Sequence, residues 1–330
     1  MEYFAMEEKH VSVVDRDGKV ILEARTPTAP KTIAAALAKG PAVERVLFET
    51  GRMAPMLFHG LTALGLPVVC VESRQAYQAL RSLAAHKTDR NDARGLAHLA
   101  RTGFFKPVHV KSLPSHAVRA LLIARKKLVG QRLENQIRGL AVAFGVRLPR
   151  GLSSGFAEKA MAAGCGIPGL DGAMRGLLAA RDAILKAIVA INTDMKSLER
   201  SSSACRRLMT IPGVGRLTAL AFAAAIDDPD RFRRSRDVGA YLGLVPRHYQ
   251  SGEIDYTGSI SKCGDARLRT LLYEVANVML TRYRGSLALK TWALDIARRS
   301  TMRKARVALA RRLAVIMFAM LKHGAEFEPA

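Results

Sequence analysis

An α/β region at the N-terminus followed by mostly helical chain is the architecture that three features of this sequence call for. The segment HVSVVDRDGKVILEA alternates apolar and polar residues on both sides of Asp15-Arg16-Asp17-Gly18, the mark of a hairpin. ERVLFETG and PVVCVES are short apolar runs, and RMAPMLFHGLTALG between them repeats apolar residues at helical spacing up to a Gly. Beyond about residue 113 the apolar residues recur at helical spacing through long stretches rich in Ala, Leu and Arg.

The first region reads in order as hairpin, helix, strand, helix, strand, helix. That order predicts one mixed sheet whose later strands are parallel and joined by crossover helices. Ligands on such sheets gather beyond the carboxyl ends of the strands. Glu49 stands there, directly after Val46-Leu47-Phe48, with Thr50-Gly51 turning the chain away. Asp89 and Asp92 follow the next strand, in HKTDRNDARGLAHLARTG, and begin a helix. Side chains three apart on a helical turn share a face, so both carboxylates can point into one cleft. Convergent carboxylates repel unless a divalent cation neutralises them, and such clusters serve phosphodiester chemistry. Glu49, Asp89 and Asp92 are therefore candidate metal ligands, with Lys87, Arg90 and Arg94 placed to hold phosphates. The same residues admit a capping arrangement, in which Asp89 caps the helix, Asp92 complements its dipole and Glu49 pairs with Arg52.

From about Leu113 to Phe144 the periodicity predicts one long basic helix, released at Gly145. A Gly/Pro/Ser-rich link, GVRLPRGLSSG, leads to a second long helix from about Leu170 to Arg200. The two can form an antiparallel pair carrying Arg125, Lys126, Lys127, Arg132 and Arg138 along one side. Such a face is either a solvated surface or a grip on RNA or a partner subunit. Ile211-Pro212-Gly213-Val214-Gly215 has the form of a helix-hairpin-helix turn, in which Gly213 and Gly215 leave backbone N–H groups open to a DNA phosphate; a plain helix connector has the same composition. Ser251, in YQSGE, reads by itself as turn chemistry. Ser259 and Ser261 read as turn and cap residues before KCGDARLRTLL. The tail DIARRSTMRKARVALARRLAVIMFAMLKHG is one amphipathic helix whose methionines fill core. The expected divisions are residues 1–112, 113–200 and 201–330.

Composition limits the partners. The 52 Lys and Arg against 28 Asp and Glu give a formal charge of +24, spread over all 330 residues, and 49% hydrophobic content excludes wholesale disorder. This excess suits a polyanion, because neutralising phosphates releases counterions. Charge alone leaves a ribosome-associated or membrane-surface protein open; size and pI favour nucleic acid. No apolar run approaches the roughly 20 residues of a spanning helix, and MEYFAMEEKH has acids where a signal peptide has lysines, so no membrane and a cytoplasmic location are expected. Cys70, Cys165, Cys205 and Cys263 lack the spacing of a zinc site or disulfide framework, and the eight histidines are scattered. A metal here would be a hard cation held by carboxylates, Mg²⁺ first.

The strings FETG, KTDRNDARGLAHLARTG, IPGVG, GAYLGLVPRHYQSGE and SISKCGDARLRTLLYE, in that order and over nearly the whole chain, resemble those of insertion-sequence transposases of the DEDD class, the IS110 type, related to the Piv/MooV DNA invertases. The resemblance implies an N-terminal α/β domain of RNase H-like (RuvC-like) fold carrying four acids, a central helical coiled-coil segment, and a mostly α C-terminal transposase domain with a nucleophilic serine. It matches Glu49 to the family's glutamate, Asp89 and Asp92 to its last two aspartates, and Ser251 to its serine. Arg247, Lys262, Arg267 and Arg269, near Ser251 in sequence, would hold the phosphate, and the tail would present Arg303, Lys304, Arg311 and Arg312 to the DNA backbone. The implied mechanism is attack of Ser251 on a DNA phosphate to form a covalent phosphoserine, assisted across subunits by Mg²⁺ at Glu49, Asp89 and Asp92, then strand exchange and rejoining. A structured noncoding guide RNA, the bridge RNA of such elements, would pair with target and donor DNA, so side chains would not encode the target. Two ends brought together imply a homo-oligomer, dimer or tetramer.

Two departures from the family stand out. Its members open with a strand ending in an aspartate before the hairpin, whereas here MEYFA runs into MEEKHVSVVD; the first aspartate has no match, and neither Glu7 nor Glu8, beside the short strand EYFA, is expected to restore it. The arginine-to-asparagine spacing of an R-T-x-L-x-N-R type string is two residues shorter in QRLENQIRG, which turns downstream faces by roughly 200°. Both point to a degraded copy of an element. Two other readings fit the same residues: a nuclease of the Holliday-junction resolvase kind, using the acids and not the serine, and a catalytically dead remnant that binds nucleic acid.

Overall fold

The alternating run near the N-terminus folds as its period requires. In the computed structural model, which describes residues 8–83, 88–149, 155–164 and 166–329, β1 (Glu8–Val14) and β2 (Val20–Pro27) pair antiparallel. Asp15 closes their turn: its Oδ1 accepts hydrogen bonds from the backbone N–H groups of Asp17 and Lys19 at 3.0 and 2.8 Å, and Gly18 takes φ +88°. Next come α1 (Pro30–Leu37), β3 (Val46–Glu49), α2 (Ala54–Ala63) and β4 (Val68–Val71). Helices α1 and α2 lay Ile33, Leu37, Leu57 and Leu61 against Val11, Val13, Phe48 and Val68, a small apolar core. Strands β3 and β4 pair in parallel with α2 as their crossover, Glu49 standing opposite Val71. Helices α3 (Ser73–Leu83) and α4 (Asp89–Thr102) follow, and this first unit ends at Leu113.

Among the described residues the expected single mixed sheet is not seen: β1 pairs with β2 and β3 with β4, as two separate two-stranded sheets. Helix α4 packs against both β1 and β3, and Arg45, beside β3, donates to the Ala100 carbonyl of α4 at 2.8 Å. The two strand pairs are thus tied through a helix rather than through a shared ladder. The strand EYFA and Glu7 lie outside the described residues. Glu8 sits on β1, where Arg25 holds it at 2.5 Å across an exposed strand edge.

The second unit, Pro114–Ala330, has two apolar cores. Where one helix was expected over residues 113–144 there are two, α5 (Leu113–Gly130) and α6 (Glu134–Ala143). The break follows Gly130, a poor helix former, and lies in the shortened string QRLENQIRG. Breaking lets the faces on either side turn independently, which a continuous helix short of two residues cannot do. Helices α7 (Phe156–Gly164) and α8 (Leu170–Ser201) follow, and α8 packs against α6 and α7 around Ile137, Ala141, Phe156, Ala160 and Met174. Of the basic residues expected along one side, Arg125 reaches the Asn192 Oδ1 of α8 at 2.7 Å and Arg138 the Pro149 carbonyl at 2.8 Å.

At 32 residues, α8 is about 48 Å long and carries the chain into the larger core. That core gathers α9 (Ser203–Leu208), α10 (Arg216–Ile226), α11 (Asp237–Tyr241) and, after a hairpin of β5 (Pro246–Ser251) and β6 (Ile254–Ile260), α12 (Ala266–Thr281), α13 (Ala288–Arg299) and α14 (Met302–His323). Phe222, Leu272, Met279, Leu309 and Met317 are fully buried in it. The chain divides into two compact units, 1–113 and 114–330, and residue 200 lies inside α8. The tail is two helices rather than one, parted at Ser300-Thr301, where the Thr301 hydroxyl caps α14 by accepting from the Lys304 N–H at 3.3 Å. Among the described residues no helix is long and apolar enough to cross a membrane.

Candidate functional site

Glu49 ends β3 half-buried, and the backbone around it is fixed by Thr50, whose N–H donates to the Val71 carbonyl at 2.8 Å and whose Oγ1 accepts from the Ser73 N–H at 3.1 Å. The N-cap of α4 is Thr88, accepting from the Asn91 N–H at 3.2 Å, not Asp89 as the capping arrangement had it. Asp89 and Asp92 occupy the first turn, where the helix dipole favours them, Asp89 exposed and Asp92 half-buried. Among the described residues no group of three or more His, Cys, Asp or Glu side chains is placed to hold a metal ion.

Lys87 lies outside the described residues. Arg90 and Arg94, expected on phosphates, converge on Glu23 of β2: Arg90 Nη2 lies 2.5 Å from Oε2 and Arg94 Nε 2.5 Å from Oε1. The hydrogen bonds from Arg90 and Arg94 hold the Glu23 carboxyl far below the ordinary glutamate range, down to about 2. This pairing pins α4 to the hairpin. Sequence reasoning misses Glu23; its signal is the strand alternation, which sets it opposite Ser12 in the ladder.

Ser251 is the last residue of β5, paired with Ile254 across a two-residue turn of Gly252 and Glu253. Gly252 has φ +58° and Glu253 a negative φ, the pattern of a II′ turn with glycine first. Every residue of β5 is exposed, and no hydrogen-bond partner stands beside the Ser251 Oγ among the described residues. The root of the hairpin is tight: the Ser261 N–H donates to the Val245 carbonyl at 2.8 Å and the Lys262 N–H to the Gly243 carbonyl at 3.1 Å. Gly243 and Gly264 take φ +66° and +71° there.

Of the cations expected near Ser251, Arg247 is exposed and bonds the Ser261 carbonyl at 3.2 Å, and Lys262 is exposed with φ +56°. Arg269 is engaged elsewhere, since its Nη1 donates to the carbonyls of Leu242, at 3.1 Å, and Cys263, and so locks the hairpin root. Arg267 is half-buried, and burial pulls it below the ordinary arginine range against the attraction of Asp265. Asp265, not Ser261, caps α12, its Oδ1 accepting from the N–H groups of Arg267 and Leu268 at 2.9 and 3.1 Å. Ser259 lies within β6, exposed.

Gly213 takes φ +87°, a left-handed backbone that favours glycine, while a Cβ there would make only ordinary contact with the Val275 carbonyl oxygen at 3.4 Å. Gly215 is exposed and N-caps α10, and Arg216 beside it pairs with Glu199. Arg303 and Lys304 are exposed in the first turn of α14, at the positive end of its dipole, an arrangement an anion would relieve. Arg312 stacks on Trp292, its guanidinium carbon 4.7 Å from the ring centre, and Arg311 lies over Gly239.

Comparison with known proteins adds to this geometry. A model described as the transposase IS116/IS110/IS902 family matches residues 205–292, which include Gly213, Gly215 and Ser251, and a DEDD-type IS110 transposase model matches residues 4–143, which include the three acids. The chain is similar to the transposase for insertion sequence element IS1111A of Coxiella burnetii, 32% identical over 315 residues covering 93% of this chain and 85% of that protein. It is also similar to the transposase for insertion sequence element IS1328 of Yersinia enterocolitica, 30% identical over 250 residues, 74% of each chain. Over a shorter stretch of 124 residues, 37% of this chain and 38% of the relative, it is 31% identical to the pilin gene-inverting protein of Moraxella bovis.

Proposed function

This chain belongs to the IS116/IS110/IS902 family of transposases, enzymes that cut and rejoin DNA, and from that premise we propose that Ser251 is the nucleophile that opens the DNA backbone. The observation that supports this reading most is the placement of Ser251 at the solvent-facing end of a rooted hairpin, with its Oγ exposed to an incoming phosphate. In the step proposed, Oγ bonds to phosphorus, the bond from phosphorus to one deoxyribose oxygen breaks, and the serine proton leaves as the freed oxygen gains one. The phosphoserine keeps the energy of the phosphodiester. Rejoining is the reverse, attack by a deoxyribose hydroxyl on the phosphoserine. Arg247 and Lys262, exposed at the same hairpin, are the chain's own cations for the charge that builds on the phosphoryl oxygens.

Domains of the DEDD type typically use a divalent metal. Glu49, Asp89 and Asp92 are the residues that would hold it, and it would supply charge neutralisation at the phosphoryl group; the step above is written on the serine and the basic side chains. DNA is the substrate of this reading, with Gly213, Gly215, Arg303 and Lys304 as contacts to its backbone. Target choice by a structured noncoding RNA and assembly into a dimer or tetramer complete it, since two DNA ends must meet. The formal charge of +24 supports one second reading, a chain that binds nucleic acid without completing recombination.

A plasmid recombination assay with the full chain and the element's own ends tests the proposal. Ser251→Ala is expected to lower product by ~10³-fold or more, while Ser259→Ala and Ser261→Ala recombine normally. Undiminished product from Ser251→Ala removes the serine from the mechanism, and no product from any chain, with salt-sensitive DNA binding retained, selects the second reading.

A further inference from the structure

We propose that the face of the β5–β6 hairpin bearing Ser251 also stacks an unpaired DNA base on Tyr249 and Tyr256, and so sets the scissile phosphate against the Ser251 Oγ. Strand register groups these side chains. Tyr249 stands directly opposite Tyr256 and Ser251 opposite Ile254. Alternation along a strand therefore puts Tyr249, Ser251, Ile254 and Tyr256 on one face. His248 and Asp255 share the other, with His248 Nδ1 3.5 Å from Asp255 Oδ1. The two tyrosine rings lie 5.3 Å apart at 30° to each other.

Tyr249, Tyr256 and Ile254 are half open to solvent or more, at 50%, 58% and 59% exposure. No other element packs closely on the hairpin among the described residues. Three large apolar side chains kept in water around one exposed hydroxyl make a surface that is completed by a flat apolar partner. The chemistry beside it selects the occupant. The chain carries a formal charge of +24 and Arg247 is exposed on the same strand, so the partner joins a flat aromatic body to an anion. A nucleotide has both. Residues two apart on one strand face are separated by about 7 Å, which is the order of the distance from a base to its phosphate. A base on Tyr249 thus leaves a phosphate at Ser251. Stacking requires the base to be out of its pair, as at an unwound end or junction.

The inference rests on the reading of Ser251 as nucleophile, and its test separates the two. Binding is measured in a Ser251→Ala background, where no chemistry intervenes, using a short single-stranded DNA containing 2-aminopurine. Adding Tyr249→Leu and Tyr256→Leu is expected to weaken binding roughly 5- to 100-fold and to abolish quenching of the probe. Tyr249→Phe with Tyr256→Phe keeps both, and fully paired duplex binds equally to all variants. Unchanged affinity and quenching in the leucine variant overturns the proposal. So does an equal loss for RNA of the same sequence, which reassigns the face to a guide strand, or a change of oligomeric state with DNA binding intact, which makes it a protein interface. Should Ser251→Ala recombine normally while the leucine variants lose single-strand affinity, the nucleophile reading fails and the stacking face stands.

Discussion

The hairpin that carries Ser251 depends on a close approach of backbones at its root, and Gly243→Ala probes it. Gly243 has φ +66°, and a Cβ there would lie 2.5 Å from the Cys263 nitrogen and 2.8 Å from the Lys262 carbonyl carbon, both backbone atoms that cannot swing aside. The left-handed conformation costs an L-residue about 1–2 kcal/mol, and overfilling a packed contact adds about 1–3 kcal/mol. The sum, about 2–5 kcal/mol, lowers the melting transition of a unit this size by roughly 4–20 °C. Gly252→Ala is the control: its φ is +58°, yet its Cβ would meet nothing within 4 Å, so it carries the conformational cost alone. Thermal unfolding of both full-length variants, followed by circular dichroism, with amide exchange of residues 245–262 as a local readout, measures the difference. Gly243→Ala is expected to melt lower than Gly252→Ala and to lose protection at the Ser261 and Lys262 amides. Equal melting of the two variants would refute the claim that backbone contact anchors the hairpin.

Three further outcomes follow from particular contacts. Glu23 is held down to about 2 by Arg90 and Arg94, so its ionised form stabilises the fold above the ordinary glutamate range and this is lost as pH falls toward 2; Glu23→Gln is expected to flatten the acid limb of the unfolding curve below about pH 4.5, and an unchanged limb contradicts the pairing. Cys70 and Cys205 are buried, and burial pushes both thiols up, Cys70 to about 11, whereas Cys263 is exposed; in a Cys165→Ser background iodoacetamide at pH 8 should therefore label Cys263 first, read by peptide mass spectrometry, and early labelling of Cys70 or Cys205 speaks against their burial. Arg303→Ala with Lys304→Ala should weaken DNA binding independently of sequence and reduce the slope of log affinity against log salt by about 2; a slope equal to that of the unaltered chain removes α14 from the interface.

Much of the local structure is legible in the sequence because it is set by short-range rules. Asp15 and Gly18 fix the first turn, Pro30 opens α1, and the apolar runs at Val46 and Val68 pair in parallel across α2. What sequence does not reveal depends on contacts between distant segments. Nothing local to Arg90 or Arg94 says that Glu23, far earlier in the chain, will take both guanidiniums. Arg269 looks like a phosphate ligand until the Leu242 and Cys263 carbonyls are seen beside it. The separation of the strands into two pairs is likewise invisible to periodicity, which predicts strands but not which of them share a ladder. Within the site, YQSGEIDY does contain its own signal: a Gly-Glu turn at its centre places Tyr249 opposite Tyr256 and Ser251 beside them.

A covalent bond between Ser251 and DNA phosphorus is the step on which the proposed chemistry turns. The full chain incubated with a DNA end nicked near the exchange point, so that the cleaved strand diffuses away, should accumulate a protein–DNA adduct. Digestion and mass spectrometry are expected to place the nucleotide on the peptide containing Ser251, with none on Ser259 or Ser261. DNA cleaved without any adduct, or an adduct mapped to another residue, contradicts this chemistry.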